Sequence, residues 1–532
     1  MRPGHAERHI GRGIVTGLLT AAAALGVAQL VAGITRPEGS PVVAVGRAAI
    51  DLTPRPITDF AIRVFGTNDK TVLLSGIVLI LAVFAAGFGI AALRHLQAGL
   101  AGLAAFAAVG LLAVVTRPDF TLAQLAPTLV GAAAGAFALV RLARTAGPAG
   151  PALRPSGSPA TPRPDGTVPS APPAGPAAAR RTFLVTGAAA AGAAAAGGVL
   201  GNLLSQRSSV SHSRAQVRIP APATPAPPLP AGADFRIPGL SPFSTPNGRF
   251  YRVDTALLLP QVPPGSWRLR VHGMVDREIS LTFDDLLRRP LTEADITLCC
   301  VSNPVGGPYI SNTRWLGVSL AGVLREAGIR AGADQLLSTS TDGYTSGTPV
   351  AAVMDGRNAL LAVAMNGAAL PVAHGFPARM IVPGLYGYVS ATKWVTDIEV
   401  TTFAAAQGYW VQQGWAALGP VKTESRIDVP DGGKAVKAGQ VMVAGVAWAQ
   451  HRGVAAVEVR ADNGPWRQAH LAEVPGIDTW RQWLWPWAAT AGTHVLQVRA
   501  TDKTGYTQTP QPADPYPDGA TGWHTVQVSV TA

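Results

Sequence analysis

Charge is in short supply in this chain. Only 14% of its 532 residues are Asp, Glu, Lys or Arg, while 48% are hydrophobic; ordinary soluble domains carry roughly 25% charged residues. That shortage excludes a chain bathed throughout in water, and it requires long apolar stretches to be housed elsewhere. Acidic residues are scarcer than basic ones, 31 against 43, leaving a net charge of +12. The surplus does not mark a nucleic-acid binder. The basic residues are scattered and gather at the ends of apolar runs, where anionic lipid and membrane topology account for them. Thiols are rarer still: Cys299 and Cys300 are the whole inventory. Adjacent cysteines rarely pair, because a disulfide wants its Cα atoms about 5.5–6 Å apart. A structural zinc site would need further Cys or a spaced His, and the nearby sequence supplies neither. Either both cysteines are small core residues or one of them does chemistry, and composition leaves both readings open.

The apolar residues are concentrated near the N-terminus. Four runs, Gly13–Thr35, Thr71–Leu93, Ala98–Thr116 and Leu122–Val140, are each close to the ~20 residues that cross a hydrocarbon core. Arg36, Arg94, His95, Arg117 and Arg141 stand at their edges. Residues 1–145 therefore read as four transmembrane helices. Residues 146–180, mostly Pro, Ala, Gly, Ser and Thr, cannot bury enough apolar area to offset chain entropy and read as a linker. Arg180-Arg181-Thr182-Phe183-Leu184 then opens an Ala/Gly-rich apolar run to about Leu204. Residues 181–205 resemble a twin-arginine export signal placed internally, and they also read as a fifth membrane helix. Basic residues at the N-terminus and in the linker put both in the cytoplasm, which four crossings allow. A fifth crossing delivers everything after Leu204 to the outside.

A Pro-rich spacer (206–234) leads into a mixed α+β region (235–415), with Trp267–Val271 expected as a strand and Leu320–Ala327 as a helix. Residues 416–532 read as an all-β sandwich of immunoglobulin type, with strands over Val441–Trp448, Ala455–Ala461, His494–Ala500 and Trp523–Val530.

The chemistry-bearing residues fall in the mixed region. Ile296–Asn303 is a short apolar run that ends on a thiol and turns polar, so a strand there can carry one side chain to a pocket floor. Tyr344 lies on a loop of small polar residues, and Arg379 and Lys393 flank the Gly-rich stretch Gly384-Leu385-Tyr386-Gly387-Tyr388, an arrangement suited to an anion such as phosphate. Thr-Leu-x-Cys at 297–300, His-Gly-Phe-Pro-x-Arg at 374–379, Val-Pro-Gly at 382–384 and Lys-Trp at 393–394 resemble, in order and spacing, the sulfite oxidase family of molybdopterin enzymes. Val443–Trp448, Arg452 through Val459, Thr479-Trp480-Arg481 and Arg499–Asp502 resemble that family's β-sandwich dimerisation domain.

The resemblance covers roughly residues 235–532 and implies a role for each matched position. Cys300 would supply the thiolate to molybdenum, a soft ligand suited to a metal already held by dithiolene sulfurs, while Cys299 faces the core. Tyr344 would approach the metal's oxygen ligands. His374, Arg379 and Lys393 would contact the molybdopterin and its phosphate, with Asn303 and Arg252 as weaker matches to polar cofactor-binding positions. The implied activity is a two-electron oxygen-atom transfer on a small-molecule substrate by a membrane-anchored enzyme whose catalytic domain lies outside the cytoplasm. A homodimer and a separate electron-transfer partner are implied too, since no His lies inside the membrane runs to hold haem. Sulfite-specific members follow the ligand cysteine with Ala-Gly-Asn-Arg-Arg. Here Val301-Ser302-Asn303-Pro304-Val305 stands instead, with no Arg before Arg314. Sulfoxide reduction on the same fold, and a metal-free tethered binding protein, are therefore the alternatives.

Overall fold

The long apolar runs form helices, which satisfy backbone N–H and C=O groups within each segment. The computed structural model describes residues 3–54, 57, 60, 69–117, 120–146, 176–207 and 209–532. Most of the expected linker, 147–175, lies outside the described residues. The chain divides into two units, Met1–Ser209 and Val210–Ala532.

The first unit consists of α1 (Pro3–Ile34), α2 (Pro41–Leu52), α3 (Asp69–Arg94), α4 (Leu96–Val115), α5 (Ala126–Ala146) and α6 (Pro176–Arg207). Five helical stretches are long and apolar enough to cross a membrane: His9–Ile34, Lys70–Arg94, Leu96–Val115, Leu122–Thr145 and Arg181–Leu204. They coincide with the runs legible in the sequence. Small residues let α1 approach its neighbours: a Cβ on Gly17 would lie 1.8 Å from the Ala85 carbonyl oxygen of α3, and one on Gly26 would lie 2.5 Å from that of Ala194 in α6. Such close backbone approach is how helices associate where no hydrophobic drive exists. Helix α2 was not expected, being too short to span. It begins on Pro41, whose fixed φ suits a first turn, and buries Ala44 against Ala113 and Val114.

The second unit opens with a strap. Residues 210–234, expected to be a spacer, lie against the folded body. Arg214 donates from Nε to the Leu370 carbonyl and from Nη2 to that of Ala369, both at 2.6 Å. Ala223 and Thr224 donate backbone N–H groups to Leu291 O, and Glu293 N donates back to Thr224 O at 2.8 Å. Prolines bar this segment from a regular ladder, but not from covering one edge of a sheet, and an exposed edge strand is a liability that proteins cover.

That edge belongs to strand β3 (Leu291–Cys299), which pairs with β4 (Ile310–Ser319), then β7 (Leu360–Met365) and the short β8 (Ala368–Ala369), with β9 (Arg379–Ile381) joined to β7. A second sheet has the order β2 (Ile279–Thr282), β1 (Arg268–Gly273), β10 (Val395–Thr401), β5 (Gln335–Ser340), β6 (Thr345–Pro349). Short helices such as Leu320–Ala327, capped by Ser319 and ended by Gly328 at φ +72°, fill the gaps.

The C-terminal region has two sheets. One runs β11 (Glu424–Val429), β13 (Gly439–Trp448), β17 (Arg481–Ala489), β16 (His470–Leu471). The other runs β12 (Val436–Lys437), β19 (His524–Thr531), β18 (Gly492–Asp502), β14 (Val454–Ala461), β15 (Arg467–Gln468). Val443, Ala447, Trp483 and Trp487 from the first sheet meet Val457, Val459, Leu496, Val498 and Val528 from the second, so a sandwich is present as expected. Strand β17 is not among the strands expected from the sequence, and it carries a proline, Pro486. It sits beyond the two-residue pairing with β16, where the strand has an open side and a missing N–H is tolerated. Trp483 is fully buried in this core. Trp483→Ala should lower stability by about 3–5 kcal/mol, the usual cost of emptying so large a site; calorimetry of the two chains checks it, and an unchanged transition would contradict the packing described.

Candidate active site

Strand β3 alternates its side chains, and where it ends the alternation separates two adjacent thiols. Cys299 is fully buried in the core, whereas Cys300 is partly accessible. Ser302 offers both its backbone N–H and its hydroxyl to the Cys300 sulfur. Burial raises the Cys300 thiol above its usual range, opposed by these donors and by the Lys393 charge.

The turn after Cys300 is clamped on all sides. Cys300 N donates to Tyr309 O at 2.9 Å, and Asn303 N donates to Cys300 O at 3.1 Å. Asn303 Oδ1 accepts from Tyr309 N at 2.7 Å. From the sandwich, Arg426 donates to Gly307 O at 2.7 Å. Gly306, at φ +75°, lies so close to the His524 ring that a Cβ there would stand 2.2 Å from it. The strand itself is tied to the sandwich through Thr297, whose N–H donates to Asp478 O at 2.9 Å and whose hydroxyl accepts from Trp480 N at 2.7 Å.

Arg379, on β9, is buried; it donates to the His374 carbonyl at 3.1 Å and to that of Ala391 at 3.0 Å, and its guanidinium lies 5.2 Å from the Trp315 ring centre. Burial pushes it down to about 10, and its Nε is enclosed without a hydrogen-bond partner. Lys393 Nζ donates to Asp254 Oδ2 at 2.7 Å and to Ala373 O at 3.3 Å. Its pKa falls to about 8 because burial outweighs the Asp254 charge. Arg252 reaches the same carboxylate at 2.9 Å from a more exposed position. His374 Nε2 is 3.2 Å from Asn247 O, so that nitrogen carries the proton. Burial, with Arg379 and Lys393 nearby, pushes it down to about 4, so the ring is neutral at pH 7 and keeps Nδ1 as an acceptor.

Tyr344 donates its hydroxyl to Tyr388 O at 2.9 Å, and its ring centre is 6.0 Å from that of Tyr409. Burial, then the electrostatic influence of Cys300, raises its pKa. The predicted residues thus converge, although Asn303 spends its carbonyl on the turn, leaving only an enclosed Nδ2 without a partner. Sequence reasoning missed Tyr251, Asp254 and Ser302. Tyr251 is raised by burial and then by Cys300. Each lies within two residues of a position already singled out, Arg252 or Cys300, but a single sequence carries no sign of which neighbour faces inward.

Three cations against one carboxylate leave a positive excess, and two enclosed donors, Arg379 Nε and Asn303 Nδ2, have no partner. Buried donors are rarely left so. Among the described residues no group of three or more His, Cys, Asp or Glu could hold a metal unaided. One thiolate beside an anion-seeking pocket fits a metal whose remaining ligands arrive on an anionic cofactor.

The comparisons agree. Residues 256–410 match the family described as "Oxidoreductase molybdopterin binding domain". Sulfite oxidase of Gallus gallus is 32% identical over 325 residues, covering 51% of this chain and 69% of that protein. The chain belongs to the sulfite oxidase family. Within it, mitochondrial sulfite oxidase of Rattus norvegicus is 30% identical over 288 residues, 46% of this chain and 52% of the relative. The uncharacterized oxidoreductase YuiH of Bacillus subtilis (strain 168) is 32% identical over 153 residues, 29% of this chain and 74% of the relative. This family member is a molybdopterin-dependent oxidoreductase, and its cofactor contains molybdenum. It spans only about half of the rat protein's length.

His524 links the cofactor half to the sandwich. Its Nδ1 accepts from Ile427 N at 2.9 Å; burial, then Arg426, pushes it down to about 4, against a small opposing pull from Asp428. A depressed histidine contributes stability fully above its unfolded pKa of about 6.5 and loses it as pH falls towards 4. The gap in unfolding midpoint between wild type and His524→Gln should therefore narrow as pH drops from 7 to 4. A pH-independent gap in midpoints would contradict it.

Proposed function

We propose that the chain performs a two-electron oxygen-atom transfer on a small substrate outside the cytoplasm, held to the membrane by its five apolar helices. The observation that carries this reading is that the buried cations Arg379 and Lys393 both pack against Gly375, with the Lys393 charge acting on the partly accessible Cys300 thiol. A soft ligand and an anion site then serve a single cofactor. In this reading residues 235–415 form the catalytic domain and 416–532 the dimerisation sandwich, and electrons pass to or from a separate partner protein or carrier.

When bound, the molybdenum cofactor supplies the oxo transfer and the two-electron change. The chain does the rest. Cys300 would bind the metal as thiolate, with Ser302 beside it favouring the charged sulfur, in the way outer partners orient metal ligands. Arg379 Nε, Lys393 and Arg252 would hold the cofactor's phosphate, with Asp254 fixing Lys393 and Arg252. His374, neutral, accepts through Nδ1. Asn303 and Arg426 hold the turn so that the sulfur stays in place. Tyr344 keeps its proton at neutral pH and donates it to the Tyr388 carbonyl.

One observation favours a neutral sulfoxide over sulfite. Arg314, the first arginine after Cys300, is committed to Asp295 at 2.7 Å and lies 3.7 Å from Glu293. It has no charge to spare for a substrate anion, and the preceding turn has none.

Purified chain assayed with sulfite and with a panel of sulfoxides tests the class and the substrate together. Cys300→Ser should abolish turnover, while Cys299→Ser should retain most of it. Loss on Cys299→Ser with activity kept in Cys300→Ser would overturn the ligand assignment, and equal inertness of the wild type to every substrate would overturn the reaction class.

A further inference from the structure

The helical unit contains a cavity of about 120 Å³ between α1, α3, α4 and α5. Its walls are Gly, Ala, Leu and Pro with the rings of Phe88 and Phe106, whose centres are 5.8 Å apart at 78°. Only two hydroxyls face it, Thr20 and Thr128. Thr20 is committed, donating to the Thr16 carbonyl one turn back at 2.8 Å, the usual way a helical Thr satisfies itself in an apolar setting. Thr128, near the start of α5 in the helical stretch Leu122–Thr145, makes no such bond. It is 4% exposed, and its Oγ1 has no hydrogen-bond partner.

A buried hydroxyl left unpaired costs free energy, so the cavity asks for an acceptor. Water does not answer: it needs 2–4 polar partners, and an apolar cavity of about 150 Å³ stays dry and takes a benzene ring instead. A lipid tail would fill the space but offers no acceptor. The occupant that meets both demands is an apolar six-membered ring bearing a carbonyl oxygen.

We propose that this cavity binds the ring of a membrane quinone, with the Thr128 hydroxyl donating to a ring carbonyl and Phe88 and Phe106 packing on the ring. The proposal rests on the helices spanning a membrane and on the oxygen-atom-transfer reading. It supplies the electron carrier which that reading leaves unassigned. The stoichiometry matches. Oxidising a substrate with one oxygen atom from water releases two electrons and two protons, and a quinone takes up two electrons and two protons as it becomes the hydroquinone. In the reductive direction the same balance runs backwards. After reduction the ring hydroxyl becomes the donor, and Thr128 Oγ1 can accept from it.

The test uses the full-length chain in nanodiscs of quinone-free lipid, titrated with radiolabelled decylbenzoquinone, with molybdenum content measured on the same sample. Wild type should bind saturably. Thr128→Val, which keeps the shape and removes the donor, should weaken binding by about five- to tenfold, the net worth of one hydrogen bond. Thr128→Ser should bind nearly as wild type, and Ala107→Phe, which fills the cavity, should not bind; circular dichroism verifies that each variant keeps its helices. Unchanged affinity in Thr128→Val, or displacement of the label by dodecane as readily as by unlabelled quinone, would make this a hydrocarbon site and overturn the proposal. Binding needs no molybdenum, so the two readings fail separately. A chain that binds quinone without molybdenum sinks the enzyme reading alone, and a molybdenum-loaded chain that binds none sinks this one.

Discussion

The catalytic unit is organised around an imbalance of buried charge. Arg379 and Lys393 are enclosed among Trp315, Trp394 and backbone carbonyls; Asp254 pairs with Lys393 and Arg252, and among the described residues no ion pair reaches Arg379. Burying a cation is costly unless it is paired and hydrogen-bonded, and burial is the largest cause pushing both pKa values down. A chain that folds to this state keeps a standing attraction for an anion of the right shape. In the proposed reading the cofactor's phosphate would complete the local electrostatics, so the same charges that cost stability would give binding.

The second requirement is a sulfur held still, and the chain meets it with parts far apart in sequence. The strap of residues 210–234 covers the edge of β3. From the sandwich, Asp478 and Trp480 hold Thr297, and Arg426 holds Gly307. The sandwich is thus part of the catalytic architecture, whatever it does in assembly. A site must hold its groups to within a fraction of an ångström to be productive, and a turn gripped from three directions achieves this where a free loop would not. Glu424 lies behind the same floor beside Cys299. Burial pushes it up to about 8, so it carries its proton at neutral pH and adds no negative charge behind the thiolate.

Much of this was legible beforehand, for reasons that can be named. The membrane-length helices were plain because twenty apolar residues in a row have few other uses. The helix 320–327 was plain because Ser319 caps it and Gly328 ends it. Motif order pointed to Cys300, Tyr344, His374, Arg379 and Lys393, and in the fold Arg379 and Lys393 pack against the same glycine, Gly375. What escaped was whatever depends on partners distant in sequence. The Pro-rich 210–234 has a linker's composition, and only the open edge of β3 turns it into a strap. Strand β17 carries Pro486, whose tolerance depends on the short reach of β16. Asn303 read as a cofactor contact, yet its carbonyl closes the turn through Tyr309, and that division of one amide between two duties has no sequence signature. Tyr251, Asp254 and Ser302 escaped because facing inward is a property of packing.

The central claim is that one thiol and one buried cationic pocket serve a single molybdenum cofactor. The most direct measurement is molybdenum and pterin content of the full-length chain, purified from a host that makes the cofactor, beside Cys300→Ser and Arg379→Ala. Near-stoichiometric metal and pterin in the wild type is predicted, with metal reduced in the first variant and both reduced in the second. A folded wild-type chain from that host with neither metal nor pterin would contradict the account.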